Sequence, residues 1–382
     1  MNDERDWRIT RIRHAMAKAE MEGLLAFGPG WRRENVRYLT GAALYNSFAL
    51  AYLPAVGASA AFAYSVQDQQ AIEAYGWVTD VRLMDLPHCG ELVGKLKEGG
   101  VPKKLGIAHL ELMPRILLEA IRKALPTTDI ISATKLMDQV RFVKSEWELE
   151  QIRRAGVVCS AGWKAFVGAL KPGALDFEII AAVEAEVKRL GAQDNFMLIA
   201  SGGSEIMGMT PPVNRRLQVG DMVRTELTPQ LNGYYAQLCR SAVVGEPSEG
   251  QRRSFELFKE ATEAGIAAVK AGVTAHDVAC AENDVFRKYG YGEYCTSQYT
   301  RVRGHGHGLH PDEVPSILEG DQTVLEENAV IIVHPNTYTP LAGYHVLGDP
   351  VVVKKNGCEL LTTTERILFA APCNEPVRRS AL

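Results

Sequence analysis

The stretch GDMVRTELTPQLNGYYAQLCRSAVVGEP, residues 220–247, decides how the chain is read. Short apolar runs (Met222, Val223, then Leu227) lead to Asn232-Gly233, and the pattern resumes at Tyr234 and Tyr235 and closes on Ala242, Val243 and Val244. Asn-Gly between two such runs predicts a β-hairpin. Side chains alternate along a strand, so Gln237 and Cys239 share a face of the second strand while Glu226 stands among apolar and small neighbours on the first. A carboxylate placed in a sheet is costly unless it is paired, bound to metal or used in chemistry. Arg224 and Arg240 offer the structural alternative of an ion pair.

Working outward, the chain has 382 residues, 46% hydrophobic and 23% charged, a composition that supports a globular protein of two domains. Its net charge of −4 gives no basic footprint for nucleic acid, so the expected partner is a small-molecule substrate. The amino terminus MNDERDWRITRIRHAM is charged where a secretory signal needs an apolar core, and no apolar run reaches membrane-spanning length. A cytoplasmic location without membrane attachment follows as the expectation. Seven scattered cysteines with no Cys-x-x-Cys pair argue against a disulfide framework and a structural zinc, and for reduced, packed thiols.

Before residue 138 the periodicity predicts helices over 6–22, 67–74, 90–98 and 112–124, and strands over 24–27, two within 46–64, 78–83 and 105–109. Strands alternating with helices predict an α/β domain over 1–137 with a mixed sheet. Ser145, with Glu146 and Glu148 in the first turn, then starts a long helix that Pro172-Gly173 stops, and 176–190 forms a second. A strand at 196–200 precedes the hairpin. Helices at 250–270 and 274–288 repeat the earlier pair, with AGVTAHD at 271–277 matching PGALDFE at 172–178, a pattern that suggests an internal pseudo-repeat. The last quarter carries three histidine-bearing segments, GHGHGLHPDEVP, ENAVIIVHPNTY and GYHVLGDPVVV.

The order of VRYLTG near 36–41, RFVKSEWELEQIRRAG, GDMVRTEL, GYYAQLCRS, RGHGHGL, VHP and NGCELLT resembles the pita-bread superfamily of methionine aminopeptidase, prolidase, aminopeptidase P, creatinase and ectoine hydrolase. The resemblance implies α/β architecture, a mixed-sheet amino-terminal domain over 1–137 and a pseudo-symmetric pita-bread domain over 138–382. It also implies a homodimer in which the amino-terminal domain, through Trp31, Arg32, Arg33 and Tyr38, closes the partner's pocket. The metallopeptidases of the superfamily hold two metals with two aspartates eleven residues apart, a histidine and two glutamates. These positions fall here on Glu226, Gln237, His305, His334 and Gly348, and a further histidine position falls on Asp312. Two dications need several carboxylates, so a dinuclear centre is not expected. Creatinase resembles the chain in lacking the cage, but its glutamate two residues past the second ligand position falls on Cys239 and its catalytic histidine on Met209. Ectoine hydrolase shares a glutamate at the place of Glu226 and differs in the segment that follows.

The resemblance and the residues together give an expected function: metal-independent hydrolysis of a small non-peptide C–N bond, with no cofactor. In it Glu226 is base or nucleophile, and His305 and His334, titrating near neutral pH, carry the proton and stabilise the oxyanion. The alternative is a mononuclear, metal-dependent Xaa-Pro-type peptidase or amidohydrolase in which Glu226, His305 and His334 hold one divalent ion. A catalytically silent small-molecule binder is the third reading. Candidate substrate contacts are Gln237, Cys239, Tyr235, His307, Arg303, His345 and Asp312, with Arg303 able to grip a carboxylate. A nucleophilic Cys239 would need a depressed thiol pKa.

Overall fold

The computed structural model describes residues 2–44, 48–85 and 89–372, and resolves them into two compact units, 1–142 and 143–382. Cys373 and residues 46–47, part of the stretch expected to form strands, lie outside the described residues.

The first unit contains α1 (Asn2–Lys18), β1 (Gly23–Pro29), α2 (Glu34–Thr40), β2 (Phe48–Pro54), β3 (Ala60–Ala63), α3 (Val66–Tyr75), β4 (Asp80–Leu83), α4 (Gly90–Lys97), β5 (Lys104–Ala108), α5 (Arg115–Ala124), β6 (Asp129–Ser132) and α6 (Thr134–Phe142). Its strands form one mixed sheet in the order β4-β3-β2-β1-β5-β6. β2 pairs antiparallel with β1 and, across the short Pro54–Gly57 turn, with β3, while β1 pairs in parallel with β5 through helical crossovers. Leu25, Phe27, Leu50, Phe62, Ile107 and Leu117 build its core. The elements α2, β6 and α6 have too few apolar repeats to stand out in the sequence. The α6 helix also runs through Met137 to Phe142, so the compact unit extends to 142.

The second unit opens with α7 (Glu146–Ala169) and α8 (Asp176–Arg189), followed by β7 (Asp194–Gly202), β8 (Met222–Leu231), β9 (Tyr234–Tyr235) and β10 (Leu238–Val244). Then come α9 (Glu249–Ala268), α10 (Ala275–Lys288), β11 (Gly304–Gly306), β12 (Glu313–Ser316), β13 (Val330–Val333), β14 (Thr337–Thr339), β15 (Gly343–His345), β16 (Asp349–Lys354), β17 (Gly357–Leu360) and β18 (Phe369–Ala371). Ser145 caps α7 in a capping box with Glu148, and Ser248 caps α9 in the same way with Gln251. Each helix pair, α7 with α8 and α9 with α10, therefore starts from the same local signal and is followed by one sheet, β18-β10-β8-β7 or β12-β11-β13-β16-β17. This is a pita-bread domain. Asn232 and Gly233 take φ of 49° and 86°, the left-handed pair that a tight hairpin needs.

A backbone bridge joins the two sheets. Cys239 of β10 and Gly348, just before β16, exchange backbone hydrogen bonds of 3.1 Å in both directions. That bridge brings the hairpin carrying Glu226 against the strands that carry the histidines.

Candidate active site

Glu226 stands in the middle of β8, facing Leu198 of β7 on one side and Cys239 of β10 on the other. Neither arginine pairs with it. Arg240 turns away to Asp349 (2.8 Å) and the carbonyls of Gly348 and Thr364, while Arg224 spends its donors on carbonyls including those of Gly202, Met222 and Ala342. The Glu226 carboxylate instead accepts two neutral amides, Asn336 Nδ2 on Oε1 at 3.0 Å and Gln237 Nε2 on Oε2 at 3.3 Å. Burial pushes its pKa up to about 7, with the Asn336 bond and the charge of Arg301 acting in the opposite direction.

Cys239 completes this cluster, with Asn336 Nδ2 and Gln237 Nε2 each 3.7 Å from its Sγ. The thiol is fully buried, and burial raises its pKa well above the ordinary value, followed by the effect of the neighbouring Glu226. Cys239 is therefore a packed thiol and not a nucleophile.

The histidines reach the same place through the sheet junction. His334 follows β13, and its Cα and Cβ lie directly over Gly348, whose backbone bonds to Cys239. The His305 ring stands edge-on to that of His334, with centroids 5.2 Å apart. His305 Nδ1 donates to its neighbour's carbonyl, Gly306 O, at 3.0 Å, so Nε2 is its free nitrogen. His334 Nδ1 is buried without a hydrogen-bond partner. The positive charge of Arg301 acts on Glu226, His305 and His334 alike, and the two imidazoles are set against each other by their ring contact. Burial lowers both imidazoles, His334 the more strongly, and correspondingly the expectation that they titrate near neutral pH does not hold: desolvation keeps them neutral.

The remaining candidates divide. Gln237 is in the cluster. His307 lies beside His305, with ring centroids 6.0 Å apart, and donates from Nδ1 to Pro311 O. Asp312 is on the rim, 3.9 Å from His305 Nδ1 and bound to Arg301 at 2.6 Å. Tyr235 is half-buried and Tyr234 buried against Glu148, the division that strand alternation predicts. Arg303 is turned inward: its guanidinium is buried over the Phe286 ring and donates to Pro335 O at 3.0 Å. His345 also points away, stacked on Phe258 at 4.6 Å and hydrogen-bonded to Ser254. In the first unit, Trp31 is 70% exposed, whereas Tyr38 is buried with the Arg8 guanidinium over its ring.

Asn336 and Tyr344 were not legible as site residues. The signal for Asn336 is its position two residues beyond His334 in a strand-like segment. Tyr344 packs against Cys239, Ile332 and Val346, and after burial the charges of Glu226 and Cys239 keep its phenol protonated well above the usual range. Met209 joins the same apolar cluster and also lines a cavity of about 480 Å³ with Ser201, Glu205, Met207 and Arg215. That volume suits a small ligand.

Among the described residues, no three His, Cys, Asp or Glu side chains are gathered closely enough to hold a metal ion as they stand. No helix among them is long and apolar enough to cross a membrane.

The family model "Metallopeptidase family M24" matches residues 150–355, and "Creatinase/Prolidase N-terminal domain" matches residues 8–143. The chain is 30% identical over 269 residues to the Xaa-Pro dipeptidase of Pyrococcus horikoshii, covering 70% of this chain and 75% of that protein. The crystal structure of the prolidase from the same organism superposes with a TM-score of 0.83 at 26% identity, covering 95% of this chain and 99% of that one. The X-Pro aminopeptidase of Thermotoga maritima shares the fold, with a TM-score of 0.83 at 24% identity over 95% of this chain and 99% of that one. These matches correct the expectation of a metal-independent, cofactor-free hydrolase of a non-peptide C–N bond. The family is one of metallopeptidases, and the relatives are named for action on Xaa-Pro peptides.

Proposed function

Because the chain belongs to metallopeptidase family M24, whose model spans more than half of it, we propose that it hydrolyses the amide bond of Xaa-Pro-type dipeptides with a single divalent ion. It is a hydrolase of the prolidase- and creatinase-like superfamily. The observation that carries the single-ion reading is the donor set itself. One carboxylate, Glu226, and two adjacent imidazoles, His305 and His334, are the ligand types that suit one zinc, iron or manganese ion, and the unpartnered Nδ1 of His334 and free Nε2 of His305 offer nitrogen donors, although the three side chains must draw closer together than they stand here to share an ion. Two ions would need bridging carboxylates, and Gln237 and Gly348 supply none. In this reading the chain is a divergent family member in which the dinuclear cage has been reduced.

Glu226, His305 and His334 would hold the ion, which when bound polarises a carbonyl and acidifies a water molecule. Asn336 and Gln237 hold the two Glu226 oxygens from opposite amides, so the carboxylate enters the reaction with its orientation fixed. Tyr344 keeps its hydroxyl proton and can donate it as a hydrogen bond to charge developing on the substrate. Buried Cys239, Ile332 and Val346 form the apolar floor that excludes water behind the reacting bond.

The test is to strip the protein with a chelator, add back manganese, cobalt or zinc in steps, and follow both bound metal and hydrolysis of Xaa-Pro dipeptides. Activity that saturates at about one ion per chain is expected. Saturation at two ions, or no hydrolysis with any of the ions, would overturn the proposal.

A further inference from the structure

A wall of tyrosines extends outward from the Glu226 cluster. In the β14–β15 ribbon Tyr338 is paired directly with Tyr344. Thr337 and Thr339 are buried on one face of β14, so alternation puts Asn336 and Tyr338 on the other, the face from which Asn336 reaches Glu226. Tyr344 touches the floor of the cluster and is the inner end of the wall. Tyr299 stacks on Tyr338 with centroids 5.9 Å apart and planes 20° apart, and Tyr294 stands edge-on to Tyr299 at 5.0 Å. Thr337 Oγ1 donates to Tyr294 O at 2.6 Å, which ties the 294–299 segment to the ribbon. All four rings are half-buried. Tyrosines that served only as core would be closed on both faces, whereas these are held by one another, keep part of their surface open, and connect through Tyr344 to the floor of the Glu226 cluster.

We propose that Tyr294, Tyr299, Tyr338 and Tyr344 form a specificity surface that receives an aromatic side chain on the substrate residue next to the scissile amide. The proposal rests on the peptidase reading given above. Rings fixed in stacked and edge-on arrangements present both the negative faces and the positive edges of their quadrupoles, and an incoming aromatic ring can match either. An aliphatic side chain gains the buried area alone. Two good ring contacts amount to a preference of about tenfold. Arg301, 66% exposed and bound to Asp312, offers a second flat surface in its planar guanidinium.

The proposal is tested by calorimetric titration of the metal-loaded protein with Phe-Pro and Ala-Pro analogues whose scissile amide is replaced by a methylene-amine. The aromatic analogue is expected to bind about tenfold more tightly. Tyr299→Leu and Tyr338→Leu should abolish that difference while leaving the Ala-Pro analogue's affinity in place, and Tyr299→Phe should retain it. Tyr299 lies in a loop segment, so its variants keep the test usable if Tyr338→Leu fails to fold. Equal affinities in the wild type, or a preference that survives both leucine variants, would overturn the specificity surface. If Xaa-Pro dipeptides are hydrolysed without aromatic preference, this inference fails and the peptidase reading stands. If the tyrosine-dependent preference is found but no Xaa-Pro dipeptide is cleaved with any ion, the surface stands and the peptidase reading fails.

Discussion

Asn336 bridges the Glu226 carboxylate and the backbone: its Nδ2 lies 3.0 Å from Glu226 Oε1, and its Oδ1 accepts the Leu347 amide at 3.1 Å. The second bond fixes the first, because an N–H of Leu347 can be met only by the carbonyl oxygen of the side-chain amide. Asn336→Ala would leave the buried Leu347 N–H without an acceptor, at a cost of roughly 1–3 kcal/mol. The expected outcome is a fall of that size in the unfolding free energy read from urea titration, seen as a lower midpoint at unchanged slope, together with a fall in kcat larger than any change in KM. An unchanged midpoint would show that water or a backbone shift satisfies Leu347.

Replacing Glu226 by Gln keeps volume and hydrogen bonding but removes the charge, and is expected to lower kcat by roughly 10²-fold or more. His305→Ala and His334→Ala should have effects of similar size that combine less than additively, since the proposed function has the three groups act on one centre. Steady-state kinetics on the single and double variants, with circular dichroism to confirm folding, checks both points. Normal turnover by Glu226→Gln would remove this residue from the mechanism.

Gly348 has no room for a side chain. A Cβ there would lie 2.4 Å from the His334 Cβ and 2.5 Å from Val333 O, and neither the strand backbone nor its first side-chain atom can swing aside. Gly348→Ala is therefore expected to destabilise the protein by roughly 1–3 kcal/mol, the range for forced overpacking. It should also disturb His334 and so lower activity. Thermal unfolding of the variant measures the first effect, and a wild-type melting temperature would contradict the close approach.

The Arg240–Asp349 pair gives the fold a pH dependence of defined sign. Burial alone would raise the Asp349 carboxyl, but Arg240, Arg366 and the Thr362 hydroxyl outweigh it and hold the pKa below the ordinary value. A carboxyl whose folded pKa is depressed adds stability above its unfolded pKa, about 3.9, and loses it as pH falls through the folded value. Asp349→Asn should cost roughly 3–5 kcal/mol at pH 7, because it leaves the Arg240 charge buried and unpaired. The gap between wild type and variant should narrow below about pH 4. Urea unfolding at pH 7 and pH 3 reads both, and a gap that stays constant with pH would contradict the assignment.

The sequence by itself determined the local devices of this protein. Asn232-Gly233 dictated the hairpin, Ser145 with Glu148 dictated the start of α7, and the period of two placed Gln237 with Cys239 and separated Tyr234 from Tyr235. The same spacing singled out Glu226, His305 and His334, of which the tertiary structure sets the two imidazoles ring to ring. What only the tertiary structure decided is which of several chemically equal partners each polar group meets. Arg240 could have served Glu226 or Asp349, and the Cys239–Gly348 bridge between the sheets settled it for Asp349. Arg303 and His345 sit in motifs as suggestive as His305, yet the α9–α10 layer draws them inward onto Phe286 and Phe258. Alternation within a strand is local and can be read along the chain. The register between two sheets, and hence whether Asn336 or an arginine reaches a given carboxylate, is set by long-range packing that no short stretch of sequence contains.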